Sequence, residues 1–557
     1  MCKNILLQKR SLSTSRLHDR PYNPIEYLHR ALLHNRLSYH DLAAGDAYKA
    51  LLLVDEVDGG EYQENVRSSL AVTKSEDPAF ALSSEELKAS QFDRVQISAG
   101  KIAVEAYVLL SNALEKCGDP YGAFEFVERG LRAFPNHETL QTLHQSMIDA
   151  GYSRSTVAIS HSAQKTGHLV AVPGFKPSAF VRREIYPWNK YEPDRFSQES
   201  LSFLNAELQK IAPKCEIRTI DLPVLNSLKK GTGDGDGHIV QSTSSIKQLG
   251  IFAAQDVAPA ERLFLEPSIL TSNNRLLGSL CDACSAPLPP ISLANPLPAC
   301  SSCDDIYFCS ENCHDRAQEL YHPAVCGIED FDNVAKDPSP AASTDSLYLL
   351  LVIRAIAMAE TQQKHPLDLL HVKFLWGDFE SASTSVERKL PFDFQNNIAN
   401  PIHIMTNMGI NPFASATLER YDLWVLNTLF AKFRGVASAK MNIHTLRPDV
   451  AGVHPLWSLA NHSCAPNVRW EWGLEGVELE SEERGAIGFT ARKPEERVHW
   501  GEGRREGGIK KGNEVLNHYC DIDLDVKERR EWAIGALGGF CRCERCLWEE
   551  KLDTKQS

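Results

Sequence analysis

The sequence predicts a multidomain α+β protein, and three observations carry that prediction. Helical periodicity with a weak internal repeat covers residues 1–152. Short β-like runs begin at about residue 238, and a cysteine-dense segment and then a helical insert interrupt them. A second cysteine cluster follows the last β-like runs. Strands that are separated by helices and by cysteine-rich segments favour α+β over an alternating α/β fold.

The 557 residues are enough for roughly two to four domains. The predicted segments are a helical repeat region at 1–152, a connecting segment and linker at 153–237, the first part of the β-rich fold at 238–280, a cysteine-rich segment at 281–326, a helical insert at 327–440, the second part of the β-rich fold at 441–525 with an insertion loop at 494–509, and a tail at 526–557.

Composition excludes several classes of protein. The formal net charge of -14 argues against general nucleic-acid binding, which requires an excess of Lys and Arg. The longest apolar run, Leu347 to Ala359, is broken by Arg354 and is too short to span a bilayer, so no membrane segment is predicted. We expect a monomer in the cytoplasm, the nucleus or both.

The first twenty residues are basic and serine-rich, a composition that occurs in mitochondrial targeting segments. The competing interpretation is that Ile5, Leu6, Leu7 and Leu12 begin an amphipathic helix of the first domain. No secretory signal is visible, so the fifteen cysteines are expected to be intracellular thiols or metal ligands.

A short motif occurs twice in the helical region, as Gly45–Ala50 and Gly118–Ala123. The second copy resembles a tetratricopeptide repeat, in which small residues let paired helices approach closely and a proline ends the unit. Two interpretations remain open: a groove for an extended peptide partner, or a helical cap on the next domain. A Gly-rich stretch, Lys229 to Gly237, predicts a linker, and β-like runs follow at His238–Gln241, Gly250–Ala254 and Arg262–Glu266.

The strongest signal is a set of eight soft ligands in four closely spaced pairs. The pairs are Cys281 and Cys284, Cys300 and Cys303, Cys309 and Cys313, and His322 and Cys326. Structural zinc takes four Cys or His donors, so this number predicts two zinc ions. A segment with so few large apolar residues depends on the metal for its folding energy.

Three later motifs occur in a fixed order. The first is Asn461-His462-Ser463-Cys464-Ala465-Pro466-Asn467, and the third is the trio Cys541, Cys543 and Cys546. Between them, Gly512, Glu514 and Val515 precede Tyr519. This order resembles the signature of SET-domain lysine methyltransferases. A MYND-like zinc finger between the two halves of the domain, here preceded by a tetratricopeptide-like region, is typical of fungal-type members of the SET-and-MYND family.

The resemblance implies an S-adenosylmethionine-dependent protein-lysine methyltransferase that acts on histone or other protein lysines. The expected cofactor-binding residues are Gly250, Ile251, Asn461, His462 and Tyr519. Tyr519 is also the expected catalytic residue, because its phenol is expected to line the lysine channel. Methyl transfer requires a neutral amine aligned with the sulfonium methyl, so the enzyme supplies desolvation and alignment.

The resemblance also implies how the metal ligands pair. One zinc ion is expected on Cys281, Cys284, Cys309 and Cys313, and another on Cys300, Cys303, His322 and Cys326. Cys464, Cys541, Cys543 and Cys546 form a third group that would tie the tail to the central segment, which gives three zinc ions in all. Fingers of this kind bind proline-rich peptides, so partners with proline-rich or extended peptides are expected.

The sequence departs from the family pattern at three places. Gln248-Leu249-Gly250 replaces the usual Gly-x-Gly of the cofactor loop, and Gly539 stands where an aromatic residue is common. Residues 495–508 are a charged, Gly-rich insertion that predicts a solvated loop, although a retained intron would have the same appearance. The alternative function is a non-catalytic adaptor whose helical repeats and finger bind partner proteins.

Overall fold

The computed structural model describes residues 2–72, 80–152, 179–182, 184–223, 225, 245–275, 280–289, 296–303, 306–328, 343–377, 379, 389–473, 484–501, 506–537 and 539–556. The predicted linker at 229–237 and the β-like run at 238–241 lie outside the described residues, as do residues 502–505 of the insertion loop.

The described residues form α-helices and β-strands throughout. The helices are α1 Lys3–Asp19, α2 Pro24–Arg36, α3 His40–Asp55, α4 Gln63–Val72, α5 Gln91–Cys117, α6 Pro120–Ala133, α7 Glu138–Asp149, α8 Gln198–Ile211, α9 Glu311–Leu320, α10 Ser343–Thr361, α11 Leu370–Lys373, α12 Asn400–Asn407, α13 Ser415–Tyr421, α14 Leu423–Val436, α15 Val526–Leu537 and α16 Glu544–Gln556. The strands are β1 Ala179–Arg182, β2 Cys215–Pro223, β3 Ser245–Ala253, β4 Arg262–Pro267, β5 Leu270–Asn273, β6 Lys389–Phe392, β7 Ser438–Asn442, β8 Arg447–Val453, β9 Val468–Trp472 and β10 Ala486–Ala491. The protein therefore combines helices and sheets, as expected for an α+β fold.

The chain divides into two compact units. The first contains residues 1–186, 328–353 and 386–431, and the second contains residues 187–327, 354–385 and 432–557. The first unit is mainly helical: α3 packs on α2 and α5, and α5 packs on α6. β1 and β6 add a two-stranded antiparallel sheet to this unit.

The two copies of the short motif occupy different structural positions, so their predicted equivalence is wrong. Gly45–Ala50 lies inside α3, whereas Gly118 ends α5 with a φ of 85°. Asp119 then caps α6 through its side chain, which accepts from Gly122 N at 2.9 Å, and Pro120 follows at the first helical position. The first copy lacks this proline, and its helix continues with Gly45 directly against the Leu423 side chain.

The basic N-terminal segment forms α1. Its buried residues Leu6, Arg10, Ser13 and Leu17 recur at helical spacing, whereas Leu12 is exposed. α5 is long and apolar enough to cross a membrane by length and composition alone. More than half of its most apolar window, 56%, is buried in the fold, as in the core helices of soluble proteins. One such helix is weak evidence for a membrane span.

The described residues of the second unit form three small antiparallel sheets. Their strand orders are β2-β3, β4-β10-β9 and β5-β8-β7. The expected strands around 250–254, 262–266, 468–472 and 486–490 are all present. Two expectations were wrong. The strands after the helical insert begin at Ser438, whereas the sequence favoured strands only from about Gly452. The segment predicted as a connection contains β2, which pairs with β3 along nine residues.

Candidate functional site

Two distant segments meet side by side at the centre of the candidate site. His462 pairs with Asn517 in a parallel bridge. Ser463 N donates to Asn517 O at 2.7 Å, and Asn517 N donates to Asn461 O at 2.9 Å. The segment that begins at Asn461 is therefore fixed by main-chain hydrogen bonds to the segment that ends at Tyr519.

The side chain of Asn467 reinforces this junction. Its Nδ2 donates to Glu514 O at 2.7 Å, and its Oδ1 accepts from Leu516 N at 2.7 Å. One amide thus satisfies both polar groups of a passing chain, as a strand neighbour would. Asn467, at the end of the motif, therefore holds the two segments together.

β3 brings the predicted cofactor loop to the same place. Ile251 O accepts from Val515 N at 2.7 Å. A Cβ at position 250 would lie 2.7 Å from Glu514 Oε1 and 3.0 Å from Asn461 Nδ2, so only glycine admits both side chains. Gln248, at the first glycine position of the family pattern, lies within β3 opposite Ile220. An ordinary paired strand accepts a side chain there.

Asn461 is held with its amide in a defined orientation. Its Nδ2 donates to Glu514 Oε1 at 2.7 Å and to Leu249 O at 3.1 Å. An amide NH2 group has two hydrogens, so both are used and only the carbonyl Oδ1 remains to accept. Burial raises the pKa of Glu514, while the hydrogen bond from Asn461 opposes that shift.

Tyr519 and His462 form the other half of the site. Tyr519 OH donates to Ala460 O at 2.8 Å, and Tyr519 N donates to His462 Nδ1 at 3.0 Å. Burial raises the pKa of Tyr519, so its phenol stays protonated. Because the phenol hydrogen is committed to Ala460, the oxygen presents its lone pairs. Burial lowers the pKa of His462 to about 4, and its ring is neutral at physiological pH.

Glu266 fixes the chain just before this site. It is 8% exposed, and its carboxyl oxygens accept from Leu456 N at 3.3 Å and Trp457 N at 2.8 Å. These bonds hold the single helical turn Trp457–Leu459 that precedes Asn461. Burial raises the pKa of Glu266 from 4.5 to about 7, and the two backbone donors partly offset that effect.

Glu266→Gln is expected to change the pH dependence of stability. Because the folded pKa lies above the unfolded value, wild-type stability falls as pH rises from 4.5 to about 7 and is then flat. Glutamine keeps one acceptor oxygen for Trp457 N, loses the acceptor for Leu456 N and cannot ionise. Its stability relative to wild type should therefore be about 3 kcal/mol higher at alkaline pH than at acidic pH. Urea unfolding at the two pH extremes measures this difference.

Glu261→Gln is the matched control for that experiment. Its side chain accepts hydrogen bonds from Lys214 and from Ala258 N, which hold the pKa of Glu261 below its usual value. This depressed pKa means that the control loses stability at alkaline pH, the opposite sign. A stability difference between Glu266→Gln and wild type that is the same at acidic and at alkaline pH would contradict the prediction.

Four thiols meet where the tail reaches the central segment. The ligand atoms of Cys464, Cys541, Cys543 and Cys546 all lie within 4.8 Å of one another. Cys464 Sγ is 3.4 Å from Cys546 Sγ and 3.9 Å from Cys541 Sγ. Tetrahedral zinc with Zn–S bonds of about 2.3 Å places its sulfurs about 3.8 Å apart, so this group fits that ion.

The charges around this quartet also suit a metal–thiolate centre. A zinc ion with four thiolates carries a net charge of about −2. Arg529, which is 1% exposed, donates from Nη2 to Cys546 Sγ at 3.6 Å. Arg545 Nη1 donates to Cys464 O at 2.7 Å and to Ile522 O at 2.8 Å. Two guanidinium groups, which share the carboxylate of Glu549, thus lie beside the expected negative charge.

The cysteine-rich segment forms two further quartets, and the four sequence pairs interleave. Cys281, Cys284, Cys309 and Cys313 lie together, with Cys284 Sγ 3.7 Å from Cys309 Sγ. The second quartet contains Cys300, Cys303, His322 and Cys326. In it, Cys303 Sγ is 3.5 Å from Cys326 Sγ and 3.7 Å from His322 Nε2. Both sets can hold zinc, and they are the sets that the resemblance implies.

The first of these quartets is built into the surrounding sheets. Thr271 Oγ1 donates to Ala283 O at 3.0 Å. Gly485, with a φ of 68°, lies where any Cβ would overlap Cys284 Sγ. Arg354 stacks 3.5 Å over the Tyr321 ring and donates to Asp282 O at 2.7 Å. Strand β5, the start of β10 and helix α10 therefore all support this quartet.

The structure adds residues that the sequence analysis did not select. The Glu514 carboxylate orients Asn461, and Asn517 supplies the main-chain junction. Cys520, which the zinc assignments leave over, has its sulfur within 4.8 Å of the ligand atoms of Cys464 and His462. The sequence signal that these three residues share is their closeness to Tyr519 in the chain.

No family model matches the chain. Three known proteins to which it is similar are named as lysine methyltransferases. The chain is 24% identical over 330 residues to N-lysine methyltransferase SMYD2 of Gallus gallus, covering 57% of this chain and 62% of that protein. It is 24% identical over 385 residues to histone-lysine N-methyltransferase SET5 of Vanderwaltozyma polyspora, covering 60% and 66%. It is 23% identical over 228 residues to histone-lysine N-methyltransferase ASHR1 of Arabidopsis thaliana, covering 40% of this chain and 43% of that protein. The matches thus span less than two thirds of these relatives.

Proposed function

We propose that this chain, a relative of the SMYD-type and SET5 lysine methyltransferases, is a protein-lysine N-methyltransferase that uses S-adenosylmethionine and acts on histone or other protein lysines. The observation that carries the proposal is the junction at which the segment around His462 pairs with the segment around Asn517. It gathers Gly250, Asn461 and Tyr519 from three distant parts of the chain around one location.

Asn461 and Gly250 are the proposed cofactor-binding residues. Both amide hydrogens of Asn461 are donated to Leu249 O and Glu514 Oε1, so its Oδ1 accepts from a donor on the bound molecule. The methionine ammonium and the adenine amino group are donors of that kind. Ile251 and His462 complete the proposed site. S-adenosylmethionine, when bound, supplies an electrophilic methyl group on a sulfonium.

Tyr519 is the proposed catalytic residue. A lysine amine attacks only when it is neutral, and burial in a narrow channel favours that form. The hydroxyl hydrogen of Tyr519 is donated to Ala460 O, so the phenol oxygen accepts from an N–H of the lysine amine. This hydrogen bond aligns the lone pair of the amine nitrogen with the methyl group. The main-chain bond from Tyr519 to His462 keeps this oxygen in register with the cofactor-binding residues.

Three zinc ions are proposed, one on each quartet. The ions of the cysteine-rich segment supply folding energy, and the third holds the tail against the site. In this proposal zinc is structural, because each quartet offers four protein ligands and keeps no open position.

Tyr519→Phe is expected to lower the rate of methyl transfer about 100-fold while leaving cofactor affinity nearly unchanged. Phenylalanine keeps the ring but loses the oxygen that orients the amine. The measurement is transfer from labelled cofactor to host proteins, beside calorimetric titration of zinc-replete protein with S-adenosylmethionine.

Tyr152→Phe, a change of the same kind in the N-terminal helical region, is the control and should transfer at the wild-type rate. Transfer by Tyr519→Phe at the wild-type rate would show that the assigned role is wrong. Failure of the zinc-replete wild type to bind S-adenosylmethionine would favour the adaptor function over the enzyme.

A further inference from the structure

The quartet that joins the tail to the central segment has a fifth thiol beside it. Four thiolates complete the tetrahedron of a structural zinc ion, and Cys464, Cys541, Cys543 and Cys546 supply them. The sulfur of Cys520 nevertheless lies within 4.8 Å of Cys464 Sγ, and Cys520 packs in one buried cluster with Cys464, Cys541 and Cys546. The thiol of Cys520 is therefore surplus to the coordination of the metal.

Two groups outside the quartet lie close to the Cys464 sulfur, and they differ in what they can do. His462 Nδ1 accepts from Tyr519 N at 3.0 Å, so the hydrogen of its neutral ring is on Nε2, which lies 3.3 Å from Cys464 Sγ. The imidazole is thus a hydrogen-bond donor to this sulfur and not a metal ligand. Of these two neighbours, only Cys520 can form a covalent bond with the sulfur of Cys464.

The main chain holds these two cysteines near each other. Cys464 and Cys520 follow closely on His462 and Asn517, the residues that pair in the parallel bridge. Ser463 N donates to Asn517 O at 2.7 Å, which ties the same two segments together. A disulfide requires the sulfurs to approach to about 2.05 Å. Because the segments are already paired, rotation of the two side chains closes the gap.

The exposure of the five thiols limits which oxidant reaches them. Cys464, Cys520, Cys541 and Cys546 are buried, and Cys543 is partly exposed. A bulky thiol such as glutathione is excluded from buried sulfurs, whereas hydrogen peroxide is little larger than water. Burial therefore favours a small peroxide as the oxidant of this cluster.

We propose that hydrogen peroxide converts Cys464 and Cys520 into a reversible disulfide, with Cys520 as the resolving thiol. The Cys464 thiolate attacks the peroxide, whose O–O bond breaks, and the products are a sulfenic acid on Cys464 and hydroxide. The Cys520 thiol then attacks the Cys464 sulfur, so that the S–S bond forms and water leaves with the thiol hydrogen. The two sulfurs give up two electrons in all, and the peroxide is reduced to hydroxide and water.

The disulfide withdraws Cys464 from the metal site. A thiolate binds zinc and a disulfide sulfur does not, so only the three thiolates of the tail remain for the ion. The zinc link between the tail and the central segment is then lost. The tail thiolates are engaged by the metal when the sulfenic acid forms, whereas Cys520 is free to attack. The inference rests on the proposed third zinc ion and not on methyl transfer.

Cys520 also makes this oxidation reversible. A sulfenic acid that meets a thiol becomes a disulfide, which dithiothreitol reduces. A sulfenic acid without such a neighbour is oxidised further to a sulfinic acid, which dithiothreitol does not reduce. Loss and recovery of the tail ion therefore depend on the Cys520 thiol.

The test compares zinc-replete wild type with Cys520→Ala after treatment with hydrogen peroxide and removal of the oxidant by catalase. Both proteins should hold three zinc ions before treatment, as counted by mass spectrometry. Peptide mapping without reduction should find a Cys464–Cys520 disulfide in the oxidised wild type. After dithiothreitol and zinc, Cys520→Ala should regain the lost tail ion at least about fivefold less completely than wild type and should carry at least about fivefold more sulfinic acid on Cys464.

Cys215→Ala is the matched control and should behave like wild type. It removes a fully buried thiol of the same unit that belongs to none of the cysteine groups among the described residues. Oxidation of the two finger quartets is common to all three proteins and cancels in the comparison.

Three outcomes overturn the inference: no Cys464–Cys520 disulfide in oxidised wild type, a disulfide from Cys464 to a tail cysteine in its place, or equal recovery of zinc in Cys520→Ala. The disulfide map of the wild type decides the matter even if Cys520→Ala does not fold. Two zinc ions in untreated wild type would overturn the third zinc site and this inference with it. Three ions without the disulfide would overturn the inference alone.

Discussion

Replacing Cys464 with serine is expected to lower bound zinc from three ions per chain to two and to reduce methyl transfer by about 100-fold or more. The Cys464 side chain is fully buried, and its sulfur is 3.4 Å from that of Cys546. A serine hydroxyl is a harder and weaker ligand for zinc than a thiolate. The remaining three cysteines come from the tail alone, so the link to the central segment is lost.

The effect on transfer follows from the position of Cys464. It lies two residues after His462, whose Nδ1 accepts from Tyr519 N at 3.0 Å, and its own carbonyl accepts from Arg545 in the tail. Release of the tail therefore loosens the segment that carries Asn461 and His462, the proposed cofactor-binding residues, and that contacts Tyr519, the proposed catalytic residue. A displacement of about 1 Å at such a site is enough for a large loss of rate.

Two variants separate this mechanism from loss of zinc in general. Cys2→Ser changes an exposed thiol outside the quartets and should retain three ions and full activity. Cys300→Ser should also retain two ions, but it acts on the partly exposed quartet of the finger and should transfer faster than Cys464→Ser. Zinc content by mass spectrometry and transfer are measured on the same samples. Three ions in Cys464→Ser would refute the third site, and two ions with undiminished transfer would refute its coupling to catalysis.

The metal ligands illustrate what spacing can and cannot determine. Pairs such as Cys281 with Cys284 are visible because two donors in one turn reach the same ion. The partner of each pair is not visible, because Cys284 meets Cys309 across 25 residues of chain whose path spacing does not specify. Only the family resemblance implied the interleaving. Cys520 is left out of the zinc assignments because it has no second cysteine at a spacing typical of zinc ligands.

The strands show a similar division. β9 and β10 were predictable from alternation and from apolar runs. β2 is not predictable in this way, because the Gly-rich stretch before β3 favours a linker between domains. The two strands nevertheless pair from Cys215 with Ala253 to Pro223 with Ser245. Asn467 is only the last residue of a motif in the sequence, whereas in the structure its amide binds a segment about fifty residues away. Local signals predict elements, and long-range hydrogen bonds decide how these elements meet.

Arg30→Met is expected to destabilise the helical unit by about 3–5 kcal/mol, the cost of leaving buried charges without their partner. Arg30 is 1% exposed, and its guanidinium binds two buried carboxylates. It donates to Asp46 through Nε at 2.9 Å and Nη2 at 2.6 Å, and to Asp422 through Nη1 at 2.9 Å and Nη2 at 3.0 Å. The residues Arg30 and Asp422 are 392 positions apart, so no sequence pattern predicts their pairing.

The pH dependence of stability is a second readout for Arg30→Met. Arg30 holds the pKa of Asp46 and of Asp422 below their usual range despite burial, which acts in the opposite direction. Carboxylates with depressed folded pKa values stabilise the fold above their unfolded pKa of about 4, and this contribution is lost as pH falls. Without Arg30 the buried carboxyls bind protons more readily, so the deficit of the variant should be largest near neutral pH and should shrink in acid.

Urea unfolding of single and double variants separates this pairing from a general loss of packing. Arg132→Met removes an exposed arginine of the same unit and should cost less than about 0.5 kcal/mol. Asp422→Asn alone leaves part of the Arg30 charge uncompensated, but combined with Arg30→Met it removes one of the two orphaned carboxylates. The double variant should therefore be less destabilised than the sum of the single changes, by about 1–3 kcal/mol. Strict additivity would mean that the two side chains, although within hydrogen-bonding distance, contribute independently to folding, and that packing alone accounts for the loss in Arg30→Met.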